Sequence, residues 1–173
     1  MVKCTKKPTK PTSITIPSTV EIEGLEYSVT SIGDNAFNNC LRLKTITFGD
    51  NSQLTSIGEA AFNNCSSLTS IEIPSSVTSI EGEVFANCSS LTSIVVEEGN
   101  SVYDSRENCN AIIETESNTL MYACQNTIIP NTVVSIGNKA FYQFYKLTSI
   151  EIPSSVTSIG DEAFYYCSNL TSI

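Results

Sequence analysis

The sequence predicts an α/β solenoid built of coils of about 23 residues, each a short parallel β-strand followed by a short helical turn. Three observations carry this expectation. The segment LTSIEIPSSVTSI recurs identically at Leu68 to Ile80 and at Leu147 to Ile159. Equivalent leucines stand at Leu43, Leu68, Leu91, Leu147 and Leu170, and equivalent phenylalanines at Phe37, Phe62, Phe85, Phe141 and Phe164, with spacings of 25, 23, 56 and 23 in both series. The 56-residue step closes when Cys124-Gln-Asn-Thr-Ile-Ile-Pro130 is laid on Leu68-Thr-Ser-Ile-Glu-Ile-Pro74, leaving 33 residues from Leu91 to Cys124 and 23 from Cys124 to Leu147.

In chain order, residues 1–12 read as a flexible basic tail or linker, because Lys3, Lys6, Lys7 and Lys10 alternate there with Thr and Pro. Residues 13–173 form the solenoid. Its first coil, residues 13–42, is stretched by Val20 to Val29, and Glu23-Gly24 suits a tight hairpin turn. Such a hairpin serves either as a cap over the first coil's exposed core or as a ligand loop.

A regular coil opens with Leu68, Ile71 and Ile73 alternating imperfectly with polar residues until Pro74 ends the strand. Val77 and Ile80 add a second apolar pair. Gly58, Gly137 or Gly160 then marks a corner, where glycine makes a positive φ cheap. Ala-Phe-x-x-Cys, as in Ala163 to Cys167, spaces Phe and Cys for one face of a single helical turn. No coil buries these residues alone, so stacked copies must share a core with parallel strands along one face.

The block from about 97 to 125 lacks Ala-Phe-x-x-Cys. Ala111 to Glu114 and Thr119 to Tyr122 flank a polar Thr115-Glu-Ser-Asn118, the pattern of a hairpin that replaces the helical turn. Its turn, with Tyr103, Asp104 and Arg106, is the least repetitive surface of the chain. Residues 170–173 begin a new strand and stop, an uncapped end that invites further repeats or end-to-end self-association.

The three separated motifs Leu-x-x-Ile-x-Ile-Pro, Val-x-x-Ile-Gly and Ala-Phe-x-x-Cys resemble those of the BspA-like leucine-rich repeat family over about residues 13–173. The resemblance implies a right-handed, curved solenoid of leucine-rich-repeat type. It also implies secreted or cell-surface proteins of bacteria, notably Bacteroidetes, and of mucosal protozoa. The partners it implies are host extracellular-matrix or cell-surface proteins and glycans. Inserted hairpins occur in that family, so the block at 97–125 reads either as a filler of the same volume or as a binding element.

The seven cysteines do not read as a metal or disulfide framework. Cys40, Cys65, Cys88 and Cys167 each follow the repeat Phe by three residues, and Phe144 fills that place once, which no ligand or bridge partner could tolerate. With no His present, neither a metal nor any other cofactor is expected. Cys109 and Cys124 face each other across the base of the expected hairpin, as a cross-hairpin disulfide or as two packed thiols. Cys4 resembles an acylated lipoprotein cysteine only faintly.

Composition narrows function further. The formal net charge of −9, with four of the nine basic residues in the first ten positions, leaves an acidic body that repels nucleic acid and anionic membrane surfaces. No apolar run is long enough to span a membrane, and no charged-then-apolar leader follows Met1. Hydroxyls repeat with the coils rather than clustering beside a base, so no enzyme is expected. Two readings stand: a binding or adhesion module, and a structural spacer without a ligand of its own. The first places its surface on the outward residues Lys44, Thr47, Thr69, Glu72, Thr92, Thr148 and Glu151, or on the hairpin of about 97–125 with Tyr103, Asp104 and Arg106. Short neutral side chains make each contact weak, so avidity over many coils is required.

Overall fold

The computed structural model describes residues 12–173 and the backbone of residues 2–4. Fourteen strands lie among the described residues, and all are short. They are β1 (Val2–Cys4), β2 (Ser13–Ile16), β3 (Thr19–Ile22), β4 (Leu25–Ile32), β5 (Thr45–Phe48), β6 (Ser56–Ile57) and β7 (Ser70–Ile73), then β8 (Ser79–Ile80), β9 (Ser93–Val96), β10 (Tyr103–Asp104), β11 (Ile112–Glu114), β12 (Thr119–Tyr122), β13 (Ser135–Ile136) and β14 (Ser158–Ile159). Within the stretch expected to be a flexible tail, β1 pairs in parallel with β4. The remainder of that stretch up to residue 11, and with it most of the expectation, lies outside the described residues.

The coils ahead of the irregular block contribute two strands each rather than the single one expected, and those after it one. The Ser-Ile-x-Ile segments form one parallel sheet in the order β2-β5-β7-β9, where Ile71 lies beside Ile94 and Glu72 beside Val95. The Thr-Ser-Ile segments form a second, in which Ile32, Ile57 and Ile80 align. The short Ser79–Ile80 segment forms a strand because neighbouring coils of like sequence supply its hydrogen-bond partners.

The expected helical turn is absent, and no α-helix occurs among the described residues. Two causes act together. Left-handed residues recur at matching places, such as Asn35 and Asn39, Ala60 and Asn64, Glu162 and Tyr166, and a right-handed helix cannot pass through positive φ. Alternate N–H groups also point along the stack, so Asn35, Phe37 and Asn39 donate to the carbonyls of Glu59, Ala61 and Asn63 in the next coil at 2.8–2.9 Å. Those donors are then lost to an α-helical ladder. Ala36 and Cys40 instead close three-residue turns onto Gly33 and Phe37.

The corner glycines also have a different reason from the one expected. Gly58, Gly137 and Gly160 do not have positive φ, which among glycines is found only at Gly24 and Gly99 of the described residues. A Cβ on Gly58 would stand 2.3 Å from Asp34 Oδ1 and 2.6 Å from Asp34 N, and one on Gly160 meets Asn138 at the same two distances. At Gly58 and Gly160 glycine leaves room for the preceding coil, whereas Glu81 takes the equivalent place after Ile80.

Inside the stack run ladders. Phe37, Phe62 and Phe85 stack with centroids 5.4 and 5.9 Å apart, and Phe141 and Phe164 resume the column at 4.9 Å. The irregular block interrupts it. β11 and β12 form the expected antiparallel hairpin around Thr115–Asn118, and β12 takes the place of a Thr-Ser-Ile strand beside β13. Ile112, Ile113 and Leu120 are fully buried, and the Tyr122 ring meets Phe85 edge-on at 6.0 Å. The core accordingly divides into two packed groups, which meet at this block.

The Tyr122 hydroxyl donates to the carbonyls of Ile80 and Glu81. Tyr122→Phe leaves these acceptors without that donor and is expected to cost about 1 kcal/mol, read as a lower urea midpoint with unchanged slope.

At the amino end, β3 and β4 form the hairpin around Glu23 and Gly24, both left-handed as a type I′ turn requires. It is a poor cap. Val20 packs on the core, but Ile22, Leu25 and Tyr27 are 47%, 62% and 38% exposed. The strand near the other end is reduced to a single parallel bridge between Ser149 and Ser172.

Candidate functional site

Among the outward residues singled out from the sequence, Lys44, Thr47, Thr69, Glu72, Thr92, Thr148 and Glu151 are all exposed. The structure does not gather them into one patch. Thr47 and Glu72 sit on the sheet β2-β5-β7-β9, with Thr69 and Thr92 just ahead of β7 and β9. Thr148 and Glu151 lie beyond the irregular block, where the equivalent residues 127–129 form no strand. In that interval a groove of about 670 Å³ opens between residues 127–131 and 149–154, lined by Ile128, Asn131, Ser149 and Glu151 among others. Ile128 is 70% exposed beside it.

The threonines do more structural work than the sequence suggested. Thr69 Oγ1 donates to the Lys44 carbonyl at 3.2 Å, Thr92 Oγ1 to that of Thr69 at 3.3 Å, and Thr171 Oγ1 to that of Thr148 at 3.1 Å. These three coils are thereby tied to their predecessors through a hydroxyl. Only the recurrence of Thr immediately after Leu68, Leu91, Leu147 and Leu170 hinted at this in the sequence.

Tyr103 is a correction. Expected on the surface, it is 7% exposed and belongs to the core, with its phenol pushed above its ordinary pKa by burial. Its neighbours are half-buried and committed to each other. Arg106 grips Asp104 through Nε and Nη2 at 2.6–3.0 Å and donates from Nη1 to Asn118 Oδ1 at 2.7 Å, pinning the hairpin turn. The bond to Asp104 raises the guanidinium pKa further. These three residues hold the insertion in place.

Cys65, Cys88 and Cys167 of the cysteine ladder are buried, as expected, and Cys40 is half-buried. The thiols of Cys65, Cys88 and Cys167 donate to the carbonyls of Phe37, Phe62 and Phe141 at 3.1–3.2 Å, each one coil back. Cys109 and Cys124 are separate buried thiols that donate to the carbonyls of Ala111 and Asn110. A register shift at Ile112/Ile113 and left-handed residues at Glu107, Asn108 and Asn110 carry Cys109 off the hairpin ladder before it can face Cys124. Among the described residues no cluster of metal-ligating side chains occurs.

Burial pushes the thiols up, Cys109 from 9.0 to about 11, and Cys88, Cys124 and Cys167 upward as well. A thiol whose pKa is raised on folding keeps its proton in the native state while the unfolded chain loses it. Stability is therefore full below about pH 9 and falls as pH rises from 9 towards 11. Urea midpoints at pH 7 and pH 10 are expected to show this drop, and a Cys109→Ala variant a smaller one. The buried thiols of Cys65, Cys88, Cys109, Cys124 and Cys167 are expected to resist alkylation at pH 8.

One cluster escaped the sequence reading. Tyr142, Tyr145, Tyr165 and Tyr166 gather on the turn side of the coils, where Tyr142 stacks on Tyr165 at 5.5 Å and Tyr165 meets Tyr166 edge-on at 4.4 Å. The signal was present. Tyr142 and Tyr165 occupy the position of Asn38 and Asn63, and Tyr166 that of Asn39, Asn64 and Asn87.

Comparison with known proteins agrees with this architecture. The family model for the BspA type leucine rich repeat region matches six copies, over residues 6–121 and 111–173. The fold is similar to that of the pneumococcal vaccine antigen PcpA, with a TM-score of 0.72 and 24% identity over 92% of this chain and 38% of that one. A leucine-rich repeat protein of Bacteroides ovatus is 32% identical with a TM-score of 0.53, covering 96% of this chain and 34% of that one. The leucine-rich repeat protein of T. pallidum is 26% identical with a TM-score of 0.58, over 95% and 69% of the two chains. The present chain thus spans about a third of the pneumococcal and Bacteroides proteins, 38% and 34% of their lengths. No curated protein sequence matches it closely enough to name a relative. With the repeat model matched along nearly the whole chain, and with paired ladders of Leu, Ile, Phe and Cys in every regular coil, this chain belongs to the BspA-type leucine-rich repeat family.

Proposed function

We propose that the chain is a non-catalytic binding module of a secreted or cell-surface protein, engaging host or microbial proteins or glycans through its strand face. The observation that carries this reading is the 670 Å³ groove beside Glu151. It opens where the strand face is interrupted, so residues of two coils that pair into no regular strand border it with their side chains and backbone groups. Glu72 and Glu151 give the same face its acidic character, which favours a partner with a basic or hydroxyl-rich contact surface. Among the described residues no helix is long and apolar enough to cross a membrane.

The test is binding of the purified chain to immobilised matrix proteins, mucins and glycans, beside Glu72→Lys and Glu151→Lys variants. A partner that loses tenfold or more in affinity with either variant supports the strand face. Failure of every arm favours the second reading, a spacer. That reading has its own support, since Thr69 and Thr92 direct their hydroxyls to neighbouring coils. End-to-end pairing of two chains belongs to the same proposal, and a monomer at every concentration in light scattering removes it.

A further inference from the structure

The irregular block also shapes the turn side of the coils, next to its strand β12. Because it lacks the Ala-Phe-x-x-Cys turn, the turns before and after it face each other across a notch. Lys139 bridges that notch to Glu83, 56 residues away in sequence, and a small cavity of about 130 Å³ beneath is walled by Phe85, Met121, Tyr122 and Phe144. Alongside lies an open cleft of about 220 Å³ lined by Asn87, Gln143, Tyr145, Tyr166 and Ser168.

Three features of this cleft stand out from ordinary coil surface. First, Tyr145 and Tyr166 are 41% and 62% exposed, so their rings contribute little to the core. Second, Tyr166 is left-handed, with φ of 56°, at a position where Asn39, Asn64, Asn87 and Gln143 also have positive φ. Asn adopts that conformation readily, whereas a bulky aromatic residue does so at a cost that its exposed ring does not recover by burial. Third, in a chain of net charge −9, none of the five lining residues is charged. Two amides, a hydroxyl and two phenols remain.

We infer that this cleft binds a neutral oligosaccharide, one pyranose ring lying against the exposed Tyr166 and Tyr145 rings while Asn87, Gln143 and Ser168 exchange hydrogen bonds with its hydroxyls. An uncharged ring with apolar C–H faces and a polar rim matches aromatic walls and an amide floor. An anionic glycan would gain no cationic lining residue, and a basic peptide no carboxylate. The Tyr142–Tyr165 stack behind Tyr166 fixes the platform before the ligand arrives, which limits the entropy lost on binding. This site is separate from the strand-face groove and stands or falls independently of it.

The chain contains no Trp, so its intrinsic fluorescence reports directly on seven tyrosines, four of them in this cluster. Titration of the whole chain with cellohexaose and with chitohexaose is expected to give saturable fluorescence change with at least one of them. Tyr166→Asn installs the residue that other coils use, and is expected to keep or raise the melting temperature while weakening binding at least tenfold. Tyr145→Ala is expected to weaken binding similarly, and Glu151→Lys on the strand face to leave it unchanged. The inference is overturned if neither oligosaccharide binds, if folded Tyr166→Asn and Tyr145→Ala both bind as the parent does, or if a decaproline peptide binds more tightly than either sugar. A drop in melting temperature for Tyr166→Asn would likewise overturn it by making Tyr166 a structural residue.

Discussion

Phe62→Ala is expected to destabilise the chain by about 3–5 kcal/mol, the range for emptying a fully buried aromatic site. The Phe62 ring is stacked between Phe37 and Phe85 at 5.4 and 5.9 Å with interplanar angles of 4°, so its removal leaves a gap bounded by two flat faces. Those faces cannot close on each other freely, because Phe37, Phe62 and their neighbours also hold the backbone ladder that runs from coil to coil through the turns. The expected record is a lower urea midpoint in circular dichroism, together with faster amide exchange at Phe37 and Phe62. Phe164→Ala provides the contrast. Phe164 is only half-buried and touches one ring of the column, Phe141, so its loss is expected to be smaller. Equal losses at the two sites would show that the column is not a packed unit.

Gly58→Ala is expected to cost roughly 2–3 kcal/mol although it adds one methyl group, because that methyl has no room. Its carbon would fall 2.3 Å from Asp34 Oδ1, 2.6 Å from Asp34 N and 2.9 Å from Gly33 C. The side-chain oxygen can rotate away, but the two backbone atoms belong to the previous coil and can move only if the coils separate. Separation breaks the bond from Gly58 N to the Ile32 carbonyl at 2.9 Å and from Glu59 N to Asp34 Oδ1 at 3.1 Å. Gly82→Ala is the matched control, since nothing lies within 4 Å of a Cβ there and its φ is not left-handed. The control is expected to be neutral or slightly stabilising, by up to about 1 kcal/mol, as fewer unfolded conformations are lost. Thermal melts of the two variants side by side decide the matter, and similar midpoints would refute the close-approach account.

Much of the inward half of the protein was legible in the sequence. Exact recurrence of Leu68 to Ile80 set the period, and the period told which residues repeat on the inside. The phenylalanine substituted at position 144 correctly identified the cysteines as packed groups, because buried ladders tolerate such a change and ligands do not. The hairpins at Glu23-Gly24 and Thr115–Asn118 followed from local turn chemistry. What could not be read was any feature whose partner is brought to it only by the fold, in the next coil or across the hairpin. Tyr103 looked like loop surface until the hairpin folded over it, and Arg106 looked available until Asp104 and Asn118 were placed around it.

The same division explains the turn. Ala-Phe-x-x-Cys has helical spacing in one dimension, and a helix would satisfy its N–H groups within one coil. Stacking offers those N–H groups carbonyls in the following coil instead, and the backbone takes left-handed steps at Asn35, Asn39 and their equivalents to reach them. Glycine at position 58 likewise permits close approach rather than an unusual φ. By itself, then, the sequence determined the repeat, the identity of the core ladders and the sites of irregularity, because these depend on which side chains prefer burial. Only the tertiary structure decided the two-sheet coil, the non-helical turns and the aromatic notch, because each depends on the distance between backbones that are neighbours in space and far apart in the chain.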